Sequence, residues 1–208
     1  GENIAMYVSE VAFWTHRALW QLLFSGKFDK FPGLKYCVVE CGSWWVGDLL
    51  WKADVNFGAS WKIKKMSSRM KGLLTKLPSE YFGDSGFIGA STMSRYEIRE
   101  RHRNGIDALM WGTDYPHPEG SWPNTVHRLE TDFQDVSIED TRRLLGLNAI
   151  ECYDLDVEGL TTVANRIGPT PEKLNQDPSL RTSSTAKRDA RWWFDEYGIE
   201  WSGPENGL

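Results

Sequence analysis

The chain is poor in cysteine, has no long hydrophobic run and carries no excess of basic residues. Its 3 cysteines in 208 residues form no disulfide framework, which favours a reducing, cytoplasmic compartment. No run approaches the roughly 18 apolar residues of a membrane-spanning helix, and no charged start precedes an apolar segment as in a secretory signal. The net charge of −5 lacks the basic balance of nucleic-acid-binding domains. We therefore expect neither a membrane nor a nucleic acid among its partners.

What the chain does contain is an ordinary globular composition with many tryptophans. Hydrophobic residues make up 40% and charged residues 25%, which supports a sizeable core. The 11 tryptophans are unusual, and such side chains either fill a core or line a pocket. The length of 208 residues fits one domain with an extension.

Short apolar runs alternate with amphipathic segments along most of the chain. Three runs predict buried strands, at residues 34–40, 86–90 and 108–113. Apolar residues at helical spacing predict helices over residues 9–25, 60–77, 94–102, 124–133 and 138–147. Ser43 is predicted to cap a further helix. Strands that alternate with helices at these lengths pair in parallel, so the pattern predicts an α/β sheet or barrel.

The composition changes after Tyr153, which divides the chain into a body, residues 1–155, and an extension, residues 156–208. Residues 168–188 concentrate Pro, Ser, Thr and Asn without periodicity, which predicts a mobile segment. Residues 190–201 carry five aromatic side chains (Trp192, Trp193, Phe194, Tyr197 and Trp201), and we expect this terminal arm to dock onto the body.

Two of the predicted strands end in a carboxylate. Glu40 follows the first and Asp114 follows the third, and function in parallel α/β folds collects at these strand ends. Asp114 also shares a turn stiffened by two prolines with His117, and rigid loops suit a preorganised site. Metal ligation or proton transfer is one interpretation. Helix capping, ion pairing within a loop, or for His117 simple surface exposure, is the other.

Four aromatic residues follow strand ends and form a candidate pocket wall. They are Trp44, Trp45, Tyr115 and Trp122. An aromatic substrate would stack against such a wall. Filling of the core by at least two of the four fits the sequence equally well.

At these residues the sequence resembles a known family. Residues 31–46, with Val-Glu-Cys-Gly after the first strand, look like the sixth-strand region of the amidohydrolase-related family, in the branch of aminocarboxymuconate-semialdehyde decarboxylase. The run Trp-Gly-Thr-Asp-Tyr-Pro-His at residues 111–117 is similar to the family's last barrel strand. Residues 145–155 resemble its closing helix. The resemblance covers about residues 10–155.

The resemblance implies the C-terminal part of a TIM (β/α)₈ barrel, about three parallel strands with flanking helices, followed by an extension. Asp114 falls on the family's last-strand metal ligand. Glu40 stands where many members carry a histidine that acts on the substrate, and His117 would have a second polar role. The family's other ligands have no counterpart here. Because a zinc site needs about three to four protein ligands, the isolated chain is expected to bind metal weakly and to be inactive.

The function expected from the resemblance is that of a metal-dependent hydrolase or decarboxylase. The substrate would be a small carboxylated or aromatic molecule, and the cofactor a divalent ion, with zinc expected before manganese. Self-association into a homo-oligomer is left open. The alternative is a non-catalytic, tryptophan-rich module that binds a ring-shaped or sugar ligand.

Overall fold

The computed structural model describes residues 2–60, 72–118 and 120–174. These residues divide into two compact units. The first comprises residues 2–36, 45–60 and 72–86, and the second comprises residues 37–44, 87–118 and 120–174. Among the described helices, none combines the length and the apolar character that crossing a bilayer requires.

The first unit is helical. Its helices are α1 (Glu2–Leu23), α2 (Lys27–Lys30), α3 (Val46–Ser60) and α4 (Pro78–Ser85). Their apolar side chains form a core that includes Leu19, Leu23, Val46, Leu49, Phe57, Leu77 and Phe82. Removing such side chains from water is the main force that holds short helices together.

One predicted helix of this unit is partly wrong. Of residues 60–77, residues 61–71 lie outside the described part of the chain, and residues 72–77 form turns. Pro78 begins α4 rather than ending a helix, because a proline needs no hydrogen-bond acceptor in the first helical turn. The Leu77 backbone N–H donates to the Glu80 carboxylate at 2.7 Å, which caps α4.

The second unit contains the sheet, apart from the first residues of β1 and β2. The strands are β1 (Tyr36–Val39), β2 (Gly86–Ser91) and β3 (Leu109–Gly112), in the order β1-β2-β3. Strands β2 and β3 are parallel, with Ile88 opposite Leu109. Both of these residues are fully buried, as expected for a parallel sheet covered on both faces. The predicted α/β fold is confirmed, and each strand lies within two residues of its predicted bounds.

Seven helices accompany the strands in the described part of the second unit. They are α5 (Arg95–Arg99), α6 (Arg101–Asn104), α7 (Thr125–Asp132), α8 (Ile138–Arg142), α9 (Asn148–Tyr153), α10 (Val157–Ile167) and α11 (Pro171–Leu174). A π-helical turn, Arg143–Leu147, joins α8 to α9. The single helix predicted over residues 94–102 is therefore two short helices, α5 and α6.

Two further predictions from the sequence can be compared with the structure. Ser43 does not cap a helix: α3 begins three residues later, and the Ser43 side chain is buried among hydrogen bonds described below. In the segment predicted to be mobile, residues 171–174 form α11, and Leu174 is buried. The rest of that segment from residue 175, and the whole predicted arm at residues 190–201, lie outside the described residues.

Candidate metal centre

Two carboxylates leave the carboxyl ends of strands in the second unit, as the sequence predicts. Glu40 comes directly after β1, and Asp114 comes two residues after β3. Both have left-handed backbone, with φ of 56° at Glu40 and 60° at Asp114. A residue other than glycine seldom adopts this conformation, and such residues cluster at functional sites. The two turns therefore hold their carboxylates in a conformation that the surrounding structure must fix.

His117 lies beside both carboxylates. The backbone N–H of His117 donates to the Asp114 carbonyl at 2.8 Å, which closes a tight turn. The turn brings His117 Nδ1 to 3.5 Å from Asp114 Oδ2 and to 3.9 Å from Glu40 Oε1. The Asp114 side chain is 14% exposed, against 69% for Glu40 and 52% for His117. Asp114 is therefore the innermost donor, and the other two form the open side of the cluster.

The three donors fit a divalent metal ion. One ligand atom from each of Glu40, Asp114 and His117 lies within 4.8 Å of the other two. Ligands at 2.0–2.2 Å from a tetrahedral zinc ion lie about 3.3–3.6 Å from one another. The distance between His117 and Asp114 already falls in this range. The distance to Glu40 is longer, and its exposed side chain can close the gap by a change of rotamer. Three protein ligands with an open position are the usual number at a catalytic zinc.

A cavity of about 440 Å³ adjoins the cluster. Its lining residues come from the three strand ends, the loop after β3 and α9: Val39, Glu40, Gly89, Ser91, Met110, Trp111, Gly112, Asp114, Tyr115, Pro116, His117, Ala149 and Tyr153. The volume suits a small molecule. The walls combine apolar surface with convergent polar groups, which is the usual character of a ligand pocket.

Tyr153 contributes a polar group that the sequence assigned to no site. Its hydroxyl donates to Cys37 Sγ at 3.7 Å. This hydrogen bond, together with desolvation, raises the pKa of Tyr153 to about 12. The phenol is therefore protonated at neutral pH, and it can donate to a ligand in the cavity by giving up its single hydrogen bond to Cys37 Sγ, which is a weak acceptor. The position of Tyr153 in the segment that resembles the family's closing helix is the signal that could have found it.

The four aromatic residues predicted to form a pocket wall do not share one environment. Trp45 is 2% exposed and packs against His16 with the two rings tilted and their centroids 4.2 Å apart, so it fills the core of the first unit. Trp44 is 49% exposed. Tyr115 and Trp122 are exposed and pack edge to face at 5.9 Å, and Tyr115 also lines the cavity. The structure thus places Tyr115 at the cavity, Trp122 against the Tyr115 ring, and Trp45 in the core of the first unit.

Comparison with solved structures finds proteins of similar fold. An amidohydrolase from Mycobacterium avium subsp. paratuberculosis K-10 is 23% identical over 66% of this chain and 32% of its own, with a TM-score of 0.50. The 5-carboxyvanillate decarboxylase LigW from Sphingomonas paucimobilis is 24% identical over 66% of this chain and 38% of its own, with a TM-score of 0.49. The chain spans about a third of the length of either protein. A search of curated proteins found no match.

Comparison with protein families gives a match over most of the chain. The amidohydrolase family model matches residues 12–155, which include all three strands and all three donors of the cluster. The α/β structure with its parallel strands and flanking helices corresponds to part of the TIM barrel of such enzymes. The chain belongs to the amidohydrolase family.

Proposed function

We propose that residues 37–153 supply a metal-binding part of the active site of a hydrolase or decarboxylase. The observation that carries this proposal is the cluster of Glu40, Asp114 and His117, whose donor atoms lie within 4.8 Å at the carboxyl ends of β1 and β3. Membership of the amidohydrolase family supports it, because this family is generally metal-dependent. This proposal differs from the expectation drawn from the sequence, which assigned Asp114 as the only ligand and therefore expected weak metal binding by the isolated chain.

The donor set suggests which ion is held and what it does. Two carboxylates and one imidazole suit Zn²⁺, and the predominance of oxygen donors also suits Mn²⁺. A bound divalent ion polarises a carboxylate or carbonyl group, or lowers the pKa of a bound water. Asp114, as the least exposed donor, anchors the ion in this proposal. Glu40 and His117 complete the set on the open side.

The cavity suggests a small carboxylated or aromatic substrate. The protonated Tyr153 hydroxyl can exchange its hydrogen bond to Cys37 Sγ for one to a substrate oxygen, which is a stronger acceptor. Tyr115 presents an aromatic surface against which a ring can pack. The small-molecule partner, the cytoplasmic compartment and the division of the chain at residue 155 belong to the same proposal.

Calorimetric titration with Zn²⁺ tests the proposed metal centre. We expect one-to-one binding to the 208-residue chain, lost on Asp114→Asn because this substitution replaces the anchoring carboxylate. Asp84→Asn is the matched control, since Asp84 is 58% exposed and pairs with Lys76 in the first unit. Equal binding by the wild type and Asp114→Asn, or no binding by either, would contradict the proposal.

The exposed pair of Tyr115 and Trp122 supports a second candidate, a non-catalytic module that binds a ring-shaped or sugar ligand. Tryptophan fluorescence during titration with benzoate and with glucose separates the two candidates. In a binding module, Trp122→Ala weakens the binding of one of these probes and Asp114→Asn leaves it unchanged. In the metal-dependent enzyme, Asp114→Asn abolishes Zn²⁺ binding and Trp122→Ala does not.

A further inference from the structure

A buried carboxylate outside the metal cluster joins two loops at the carboxyl edge of the sheet. Glu97 in α5 is 7% exposed. Its Oε1 accepts hydrogen bonds from the Ser43 backbone N–H and, at 3.2 Å, from the Ser43 hydroxyl. Its Oε2 accepts from the Ser94 backbone N–H and the Ser94 hydroxyl, both at 2.8 Å. Four donors thus satisfy a carboxylate whose burial would otherwise be costly.

Only half of this arrangement is explained by helix capping. Ser94 is the N-cap of α5, and Ser94 with Glu97 forms a capping box, which needs one carboxylate oxygen. The other oxygen faces Ser43, which lies 54 residues earlier in the chain, in the loop after β1. A solvent-exposed capping box would stabilise the helix equally well. The contact with Ser43 therefore stabilises the loop after β1 rather than the helix.

That loop carries Glu40, and it is packed tightly over residues 40–43. A Cβ added to Gly42 would lie 3.0 Å from Glu97 Oε1 and 2.7 Å from Trp44 Cδ1, so the backbone of Gly42 sits directly against the carboxylate. Cys41 is buried, and its thiol donates to the Val38 carbonyl. Glu40 itself holds a left-handed conformation that needs support from its surroundings.

We propose that Glu97 is a positioning residue for the metal centre: by holding the backbone at Gly42 and Ser43, it fixes the turn that directs Glu40 toward Asp114 and His117. This inference rests on the proposed function, since it concerns the same cluster. Groups that orient metal ligands without touching the ion strongly influence its affinity.

Zn²⁺ titration of Glu97→Gln tests the proposal. The amide has a single acceptor oxygen, so it cannot accept from both the Ser43 and the Ser94 backbone N–H groups. We expect about a 10-fold or larger loss of Zn²⁺ affinity, within the range found for groups that orient metal ligands. Ser94→Ala is the matched control: it removes half of the capping box and lowers the melting temperature, and it leaves the Zn²⁺ affinity within twofold of the wild type. Glu158→Gln, an exposed position in α10, controls for the loss of charge.

A double-mutant cycle shows whether Glu97 acts through Glu40. The Glu40→Gln chain keeps two donors, so weaker Zn²⁺ binding can still be measured in it. In that background we expect Glu97→Gln to cause no further loss, because the residue it positions has already been replaced. An undiminished loss there, or an equal loss in Ser94→Ala, would overturn the inference and show a general effect on the fold.

The outcome for the inference is distinct from the outcome for the proposed function. If Asp114→Asn abolishes Zn²⁺ binding and Glu97→Gln leaves it unchanged, the metal centre stands and the positioning role fails. If Asp114→Asn has no effect, the metal centre itself fails. Should Glu97→Gln not fold, Gly42→Ala decides the matter, because a Cβ there would lie 3.0 Å from Glu97 Oε1 and pushes the loop away from the carboxylate while Glu97 itself is kept. A loss of affinity in Gly42→Ala supports the role, and an unchanged affinity refutes it.

Discussion

Replacement of Asn148 offers a direct test of how β3, the strand before Asp114, is held in place. Asn148 is fully buried at the start of α9. Its Nδ2 donates to the carbonyls of Ile106 and Leu109, both at 2.7 Å. The carbonyl of Ala108, directly before β3, accepts from the Ile88 N–H in β2, and the carbonyl of Gly112, at the end of β3, accepts from the Thr92 N–H directly after β2. The intervening carbonyl of Leu109 therefore points to the opposite edge of the strand, where Asn148 satisfies it.

The expected loss of stability in Asn148→Ala follows from these two hydrogen bonds. Asn148→Ala leaves two buried carbonyls without their donor, and each unsatisfied group costs about 1–3 kcal/mol. The Oδ1 atom of Asn148 has no hydrogen-bond partner among the described residues. Removing this unsatisfied atom offsets part of the loss in the free energy of unfolding. We expect a net loss of about 2–3 kcal/mol. For a chain of this size that corresponds to a melting temperature lower by about 5–10 °C.

Thermal unfolding followed by circular dichroism measures this shift. Asn165→Ala is the matched control, because Asn165 is exposed on α10 and its replacement should move the midpoint by less than about 2 °C. A midpoint for Asn148→Ala as close to the wild type as that of the control would refute the reasoning. It would mean that water or a shifted backbone replaces both donated hydrogen bonds.

Two other substitutions probe stability elsewhere. Burial raises the pKa of Asp140, but hydrogen bonds from His102 and Arg101 outweigh it, so the pKa lies below its ordinary value. The stability that depends on this shift is complete above the unfolded pKa near 4 and is lost as the pH falls through the folded value. Asp140→Asn should therefore lower the free energy of unfolding by about 3 kcal/mol at pH 7, measured by urea unfolding, and by much less near pH 3. An equal loss at both pH values would count against the ion pair. Gly86→Ala should cost about 1–3 kcal/mol in the same assay, because its Cβ would lie 2.6 Å from the Tyr36 hydroxyl; an unchanged midpoint would show that the ring moves aside.

The parts of the fold that the sequence predicts well are those governed by local pattern. The runs around Val38, Ile88 and Met110 are short, apolar and bounded by turn residues, and each forms a strand. The helix predicted over residues 60–77 is wrong at its described end, because Pro78 can either stop a helix or begin one and the sequence does not say which. Helix boundaries depend on such choices, which neighbouring elements decide.

The metal cluster was likewise predictable only in part from the sequence. The sequence pointed to Glu40, Asp114 and His117 as polar residues at strand ends, and it assigned the metal to Asp114 alone. It did not show that Glu40 lies close to His117, since 77 residues separate them. It also missed Glu97, although Ser94 and Glu97 have the spacing of a capping box, because nothing in that spacing reveals the second contact with Ser43.

By itself, then, the sequence determined the order of strands and helices, the membership of residues 12–155 in the amidohydrolase family, and the residue types at the ends of the strands. Only the tertiary structure decided which of those residues meet. Parallel strands β1, β2 and β3 bring their carboxyl ends to one edge of the sheet, and the register between them sets which side chains lie within reach of one ion. Register and loop packing depend on contacts between residues far apart in the chain, and the local pattern of apolar and polar residues does not contain them.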